Sequence, residues 1–299
     1  IMTFANMIDM LTVNPCIKAA MKASPHTFDS LISDKLTADM IPNFIYGSYT
    51  GLAVTVFGLV PTITAMFGKS ILPSLAESCA KNDKKAMQSG LTKMLIVTSI
   101  IAIPAGMGIA VLSEPILRFL FGGRETEIQV CIMPLSILGI AVIFLAIATP
   151  CFSILQTLGK PHKAIIIMLA GGIIKLFLNI ILIRQPIINI SGAAISTLVS
   201  EVFICVLSVR SVCKMTDLKP KVSEIFVKPT YAAIMCSVTA VLSHETLTKI
   251  AHLQINHRFV TLFSIGIGST MYFFCLYLLC ETPKNIVNYI FSKKNPQNP

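Results

Sequence analysis

Three ionisable residues stand inside long apolar stretches of the sequence: Asp9, Lys175 and Glu201. A charged side chain inside a membrane helix costs about 2.5–3.5 kcal/mol on insertion scales, so it needs a partner or a polar cavity. Two interpretations fit these residue types. They form a structural ion pair that fixes the register of neighbouring helices, or they line a cavity that meets a charged substrate or a coupling ion.

Lys175 and Glu201 occupy matching positions in two consecutive apolar runs. Lys175 lies nine residues before Arg184, and Glu201 lies eleven residues after Ile190. At 1.5 Å per residue, both side chains are expected roughly 13–17 Å deep. Consecutive membrane helices run antiparallel, so the two residues share a depth, which allows Lys175 to pair with Glu201.

Small and polar residues share faces with these charges. Spacing of four residues produces two such faces, Gly171, Lys175 and Asn179 on one helix and Thr197, Glu201 and Cys205 on the next. Both faces are expected to turn toward the interior of a helix bundle. The candidate substrate-cavity residues are Lys175, Glu201, Asn179, Thr197, Asp9 and Asn6.

The composition of the 299-residue chain requires a membrane setting. Hydrophobic residues make up 54% and charged residues 13%, against roughly 25% charged residues in an ordinary soluble domain. Mean hydropathy is +0.78. These values exclude a soluble enzyme, a disordered chain and a collagen-like fibre. The net charge of +10 lies between apolar runs, which indicates membrane topology and anionic lipid headgroups rather than nucleic acid.

The cysteines and histidines give no sign of a metal site. None of the nine cysteines forms a CxxC motif, and the five histidines form no HExxH motif. We therefore expect no metal, no cofactor and no catalytic residue. His244, His252 and His257 fall in one short polar segment, which is interpreted as a solvated loop.

Eight apolar runs are long enough to cross a membrane as helices, and together they predict an all-α, polytopic transmembrane bundle. They cover approximately 1–21, 42–66, 91–113, 128–155, 162–184, 190–213, 225–243 and 259–280. The first run is the weakest because polar residues interrupt it, and the second could extend to Cys79. Between the third and fourth runs, the stretch SEPILRFLFGGRETE predicts a short interfacial helix.

Basic residues orient the predicted spans. One set of connections carries fifteen lysines and arginines and the other carries eight, which predicts a cytoplasmic C-terminus by the positive-inside rule. Prolines that can bend the helices lie inside several runs, at Pro61, Pro104, Pro134 and Pro150. Gly47 and Gly51, four residues apart, offer a small-residue face for close helix packing.

Several segments together resemble a known transporter family. The stretch Tyr46–Ser78 resembles the eighth helix of polysaccharide-type flippases, and Ile154–Ala164 resembles their connection between helices ten and eleven. Gly171–Ile183 and Asn189–Val202 resemble their eleventh and twelfth helices. The sequence is most similar to the stage V sporulation protein B and polysaccharide-biosynthesis branch of the multidrug/oligosaccharidyl-lipid/polysaccharide exporter superfamily, which also contains the lipid II flippase.

This resemblance implies a domain organisation. Such proteins contain two six-helix lobes, often followed by two extra helices. Residues 1–221 would be the second lobe, 222–281 the extra helix pair and 282–299 a cytoplasmic tail. Because the sequence starts at Ile1 within an apolar run, we expect an N-terminally truncated chain whose first lobe is missing.

The resemblance also implies a function, which is flipping of an undecaprenyl-pyrophosphate-linked glycan across the bacterial cytoplasmic membrane by alternating access. Lys175 would face the anionic headgroup, with Glu201 as its partner or switch and with Asn179 and Thr197 as hydrogen-bonding residues. The expected partners are this lipid-linked substrate, the bilayer and the missing lobe. Three alternatives stay open at this point: a cation-coupled multidrug antiporter of the same superfamily, a scaffold for envelope assembly that transports nothing, and a membrane-embedded transferase, for which the sequence offers no His/Asp or metal cluster.

Overall fold

The computed structural model describes residues 2–24, 37–81, 83–185, 188–217, 223–251 and 257–279. Within these ranges the chain forms helices and no strand. The α-helices in chain order are α1 (Met2–Ala23), α2 (Ile41–Ser48), α3 (Thr55–Ala80), α4 (Lys84–Val111), α5 (Ser113–Phe121), α6 (Glu125–Thr157), α7 (Pro161–Leu182), α8 (Ser191–Thr216), α9 (Lys228–Ala251) and α10 (His257–Leu279). A π-helical segment, Tyr49–Val54, joins α2 to α3.

Seven helical stretches among the described residues are long and apolar enough to cross a membrane. They correspond to the predicted spans from the second to the eighth, and the second continues unbroken over Ile41–Ala80. The first predicted span forms α1 but is not among the seven, because Asp9, Asn14 and Lys18 interrupt its apolar run. The chain is therefore a multi-pass membrane protein of the all-α class.

Helix α6 forms the centre of the bundle. Its 33 residues correspond to about 50 Å at 1.5 Å per residue, and it packs against α3, α4, α7 and α8. Leu135, Leu138 and Val142 are almost completely buried along it. The helices that carry the candidate site residues are thus arranged around an apolar core.

Helix α7 buries its polar residues and exposes large apolar side chains. Gly171, Lys175 and Asn179 are buried, as their spacing predicted, whereas Ile173 and Phe177 are exposed. A soluble amphipathic helix buries its apolar face instead. The reversed arrangement fits a helix whose outer face contacts lipid.

Close helix packing uses glycines other than the predicted pair. A Cβ atom built on Gly47 or Gly51 would meet no atom within 4 Å in the described part of the chain, so the predicted close contact there is wrong. Instead, Gly106 of α4 faces Gly139 of α6. A Cβ on Gly139 would lie 2.5 Å from the backbone nitrogen of Ala110, so only glycine permits this approach.

The segments between spans agree only partly with the sequence prediction. The short helix predicted between the third and fourth spans is present as α5, where Arg118 donates hydrogen bonds to Glu114 and Glu125 and so ties α5 to the start of α6. The predicted loop beginning at His244 is wrong, since α9 continues to Ala251. Residues 252–256 lie outside the described ranges.

The last two helices are joined to α4 at a proline. Pro104 has no N–H, so the carbonyl of Ile100 lacks the helical donor four residues later. The hydroxyl of Tyr272 on α10 donates to that carbonyl at 2.8 Å. Tyr272 also packs beside Ile103 and Cys236, so a hydrogen bond and an apolar cluster together hold α9 and α10 on the bundle.

Substitution of Gly139 by alanine should destabilise the bundle. The added Cβ would contact the Ala110 backbone below 3.0 Å, and α4 would have to move away from α6. We expect a cost of about 1–3 kcal/mol, typical of overpacking, seen as a lower melting temperature in detergent. Gly108→Ala is the matched control, because its Cβ meets nothing within 4 Å. Equal melting temperatures for the two variants would contradict the close approach.

The contact of Tyr272 with Ile100 can be tested by a double-mutant cycle. Tyr272→Phe removes one hydrogen bond and should cost about 0.5–1.5 kcal/mol in thermal unfolding experiments. Pro104→Ala restores a backbone N–H that can bond to the Ile100 carbonyl. The effect of Tyr272→Phe should therefore shrink in the Pro104→Ala background. An unchanged effect would show that the hydroxyl does not replace the missing donor.

Candidate functional site

The buried charges meet where α1, α7 and α8 come together. The Nζ atom of Lys175 lies 2.8 Å from Oδ2 of Asp9. It also donates to the backbone carbonyl of Ala5 at 3.2 Å. Lys175 and Asp9 are each 2% exposed, so this ion pair is shielded from solvent within the protein.

The predicted pairing of Lys175 with Glu201 is wrong. Lys175 forms its ion pair with Asp9, because α1 packs against α7 and brings a second carboxylate to the same depth. Lys175 and Glu201 nevertheless lie near each other, as their matching depths predicted, since both line one cavity. The competing acid, Asp9, comes from a helix far away in the sequence.

Asn179 completes the shell around Asp9. Its Nδ2 atom donates to Oδ1 of Asp9 and to the hydroxyl of Thr12, each at 2.9 Å. The hydroxyl of Ser196 on α8 donates to Oδ1 of Asn179. Both carboxylate oxygens of Asp9 are therefore occupied, and a continuous chain of polar contacts connects the three helices.

A small cavity lies beside this network. Five of the predicted residues line it, namely Asn6, Asp9, Lys175, Thr197 and Glu201. The sixth, Asn179, contacts Asp9 but does not line the cavity. The space holds roughly one water molecule. The cavity is thus far too small for a glycan, and we refer to this arrangement of the helices as the closed state.

Glu201 differs from Asp9 and Lys175 because no described residue forms an ion pair with it. It is 1% exposed, and its Oε2 atom has no hydrogen-bond partner among the residues that the structure describes. The nearby hydroxyl of Thr197 donates to the Ala193 carbonyl of its own helix. The ammonium group of Lys175 acts on Glu201 only through space.

Three residues of the site were missed from sequence. Thr12 lies three residues after Asp9, so helical spacing could have placed it on the same face. Ser196 lies beside the predicted Thr197 but off the predicted face. Tyr49 is fully buried at the cavity in the π-helical segment, and the sequence carries no signal that distinguishes this segment from an α-helix.

The ion pair predicts an asymmetric response to mutation. Lys175→Met leaves the Asp9 carboxylate buried and unpaired, which should cost about 3–5 kcal/mol. The double variant Asp9→Asn, Lys175→Met removes both charges and should be more stable than Lys175→Met alone. Thermal unfolding in detergent measures this order, with the exposed Lys160→Met as a control. A double variant no more stable than Lys175→Met would refute the pairing.

Two solved structures share this fold. The structure of lipid II flippase MurJ in an inward closed conformation matches with a TM-score of 0.60 at 17% identity, over 84% of this chain and 48% of that one. The inward-facing structure of a multidrug resistance MATE family transporter of the MOP superfamily matches with a TM-score of 0.53 at 15% identity, over 99% of this chain and 64% of that one. At these identities the likeness shows the fold alone.

Curated relatives share parts of the sequence. Lipid II flippase MurJ of Bacillus subtilis is 26% identical over 136 residues, which is 46% of this chain and 25% of the relative. Stage V sporulation protein B of Bacillus subtilis is 22% identical over 184 residues, 60% of this chain and 34% of the relative. The probable low-salt glycan biosynthesis flippase Agl15 of Haloferax volcanii is 27% identical over 186 residues, 61% and 38% respectively.

This chain spans less than half the length of each of these relatives. The resemblance inferred from the short sequence segments is nevertheless confirmed, since the chain matches relatives from the same branch of the exporter superfamily by sequence. The family model of the lipid II flippase MurJ matches residues 39–263, which is well over half of the chain. The chain therefore belongs to the lipid II flippase MurJ family.

Proposed function

We propose that this chain is part of a flippase that moves an undecaprenyl-pyrophosphate-linked envelope precursor across the bacterial cytoplasmic membrane by alternating access. One observation carries the proposal: a buried, charged network lines a cavity within the membrane helices of a MurJ family member. Charged residues at membrane depth mark substrate pathways more often than simple anchors. Membership in the MurJ family indicates that the substrate on such a pathway is a lipid-linked precursor.

The chemistry of the cargo fits the residues of the site. A pyrophosphate headgroup is anionic and its sugars carry many hydroxyls, so it cannot cross hydrocarbon without polar partners. Lys175 supplies a cation, and Asn179 and Thr197 supply hydrogen-bonding groups. In the closed cavity, Asp9 neutralises Lys175 at 2.8 Å. The ammonium group therefore becomes available to an anion only when the cavity opens and this pair separates.

The proposal includes a second lobe. Residues 1–221 would form one transport lobe and 222–281 an accessory helix pair, with the C-terminus in the cytoplasm as the basic residues predict. A second lobe on the same polypeptide or on a partner would close the other side of the cavity. The match to 48% of the MurJ structure supports this arrangement. An apolar groove on α10, lined by Phe259, Phe263 and Gly266, offers a surface for the lipid tail.

The cation-coupled antiporter is the second candidate function. Such a transporter needs an acidic residue that is free to take up a cation. Both oxygens of Asp9 are occupied by Lys175 and Asn179, whereas Oε2 of Glu201 has no partner among the described residues. The scaffold alternative gives no role to a buried network that costs free energy to insert. Flipping of a lipid-linked precursor accounts for the buried charged network and agrees with the membership of the chain in the MurJ family.

A rescue experiment tests the proposal. The protein is expressed from its natural reading frame in bacteria depleted of their own lipid II flippase, and precursor exposed on the outer surface is counted. We expect rescue by the wild type. Lys175→Ala should lower the flipping rate about ten- to hundredfold, since one charge-assisted contact contributes about 1.5–3 kcal/mol.

Lys160→Ala is the matched control, because Lys160 is an exposed lysine outside the site and should flip normally. Membrane levels of all variants are held equal. Full rescue by both Lys175→Ala and Glu201→Ala would show that the cavity residues take no part in flipping. If no rescue is seen and the protein instead carries out proton- or sodium-driven dye efflux, the chain is part of an antiporter and not of a flippase.

A further inference from the structure

Among the residues that the structure describes, the charges around the cavity do not balance. Asp9 and Lys175 neutralise each other at 2.8 Å. Glu201 lies at the same cavity with Oε2 unpartnered among the described residues. As a carboxylate it would leave one uncompensated negative charge in the membrane interior, and a buried carboxyl in that position is neutralised by taking up a proton.

The surroundings of Glu201 supply no stronger partner within the described chain. Among the described residues, the titratable groups that face it are Asp9 on α1, Lys175 on α7, Tyr49 on the π-helical segment and Cys205 one turn along α8. Helix α6 contributes the apolar Leu138 to the cavity. Lys175 already donates to Asp9 and to the Ala5 carbonyl.

We propose that Glu201 is a proton-binding site whose occupancy is linked to opening of the cavity. In the closed state Glu201 is a neutral carboxylic acid. When the cavity opens, water solvates the carboxyl group, its O–H bond breaks, and the proton passes to water and leaves a carboxylate. This second step rests on the proposed flippase function, whereas protonation of the closed state does not.

Linkage fixes the direction of the pH effect. The closed state binds one proton more than the open state, so raising the pH favours opening. A difference of one proton shifts the equilibrium by up to about tenfold per pH unit, over the range where the two states differ in protonation. Below that range both states are protonated, and above it neither is.

Infrared spectroscopy of the purified protein in lipid vesicles tests protonation without any flipping. Protonated carboxyl groups and carboxylates have separate stretching bands. At neutral pH, Glu201→Gln should remove intensity from the acid band. Glu245→Gln removes an exposed glutamate and should remove intensity from the carboxylate band instead. Loss of carboxylate intensity in Glu201→Gln would overturn the proposal.

Infrared spectra recorded with and without sodium distinguish a bound proton from a bound metal ion at Glu201. Spectra are recorded at one pH with sodium and then with choline as the only monovalent cation. We expect the acid band assigned to Glu201 to be the same in both. Conversion of this band to a carboxylate band by sodium would identify a metal-ion site and overturn the proton site.

The pH profile of flipping tests the linkage. The wild-type rate should change with pH by up to about tenfold per unit, whereas Glu201→Gln, which cannot ionise, should show a flat profile. Glu245→Gln should keep the wild-type profile. A pH-dependent Glu201→Gln, or a flat wild type that still flips, would overturn the linkage and leave the flippase intact. A wild type that does not flip removes the proposed function, while the infrared result still decides the proton site.

Discussion

The ion pair between Lys175 and Asp9 constrains the whole arrangement of the site. A lysine at membrane depth needs an acid, and this acid comes from α1, far from α7 in the sequence. The need for a partner therefore holds together two helices that are not consecutive. Asn179 and Ser196 extend the contact to α8, so that one buried charge organises three helices around a closed cavity.

Helix α7 carries Lys175 and Asn179 on its buried face and large apolar side chains on its outer face. Gly171 faces α8, where the side chain of Ile204 occupies the space that a Cβ would need. Phe177 and other large apolar side chains on the opposite face are exposed. Apolar contact contributes little to helix association in lipid, so close packing at glycines and polar contacts must supply the specificity. Gly139 at the α4–α6 contact follows the same rule.

The sequence predicted the spans and the buried faces because both depend on local periodicity. Runs of about 20 apolar residues identify helices, and four-residue spacing correctly placed Lys175 and Asn179 on one buried face. The partner of Lys175 could not be predicted in this way, because it depends on which helix packs against α7. The π-helical segment at Tyr49 and the glycine contacts also depend on tertiary packing rather than on local pattern.

Because Lys175 pairs with Asp9, Glu201 has a different role from the one that the sequence predicted. If Lys175 belonged to Glu201, Asp9 would be the unpaired acid, on a helix whose apolar run is already interrupted. Instead the unpaired acid lies on α8, which packs on both α6 and α7. Any movement that admits water between these helices must change the solvation of that carboxyl group. A single buried charge pair thus leaves its neighbour as the group most sensitive to opening.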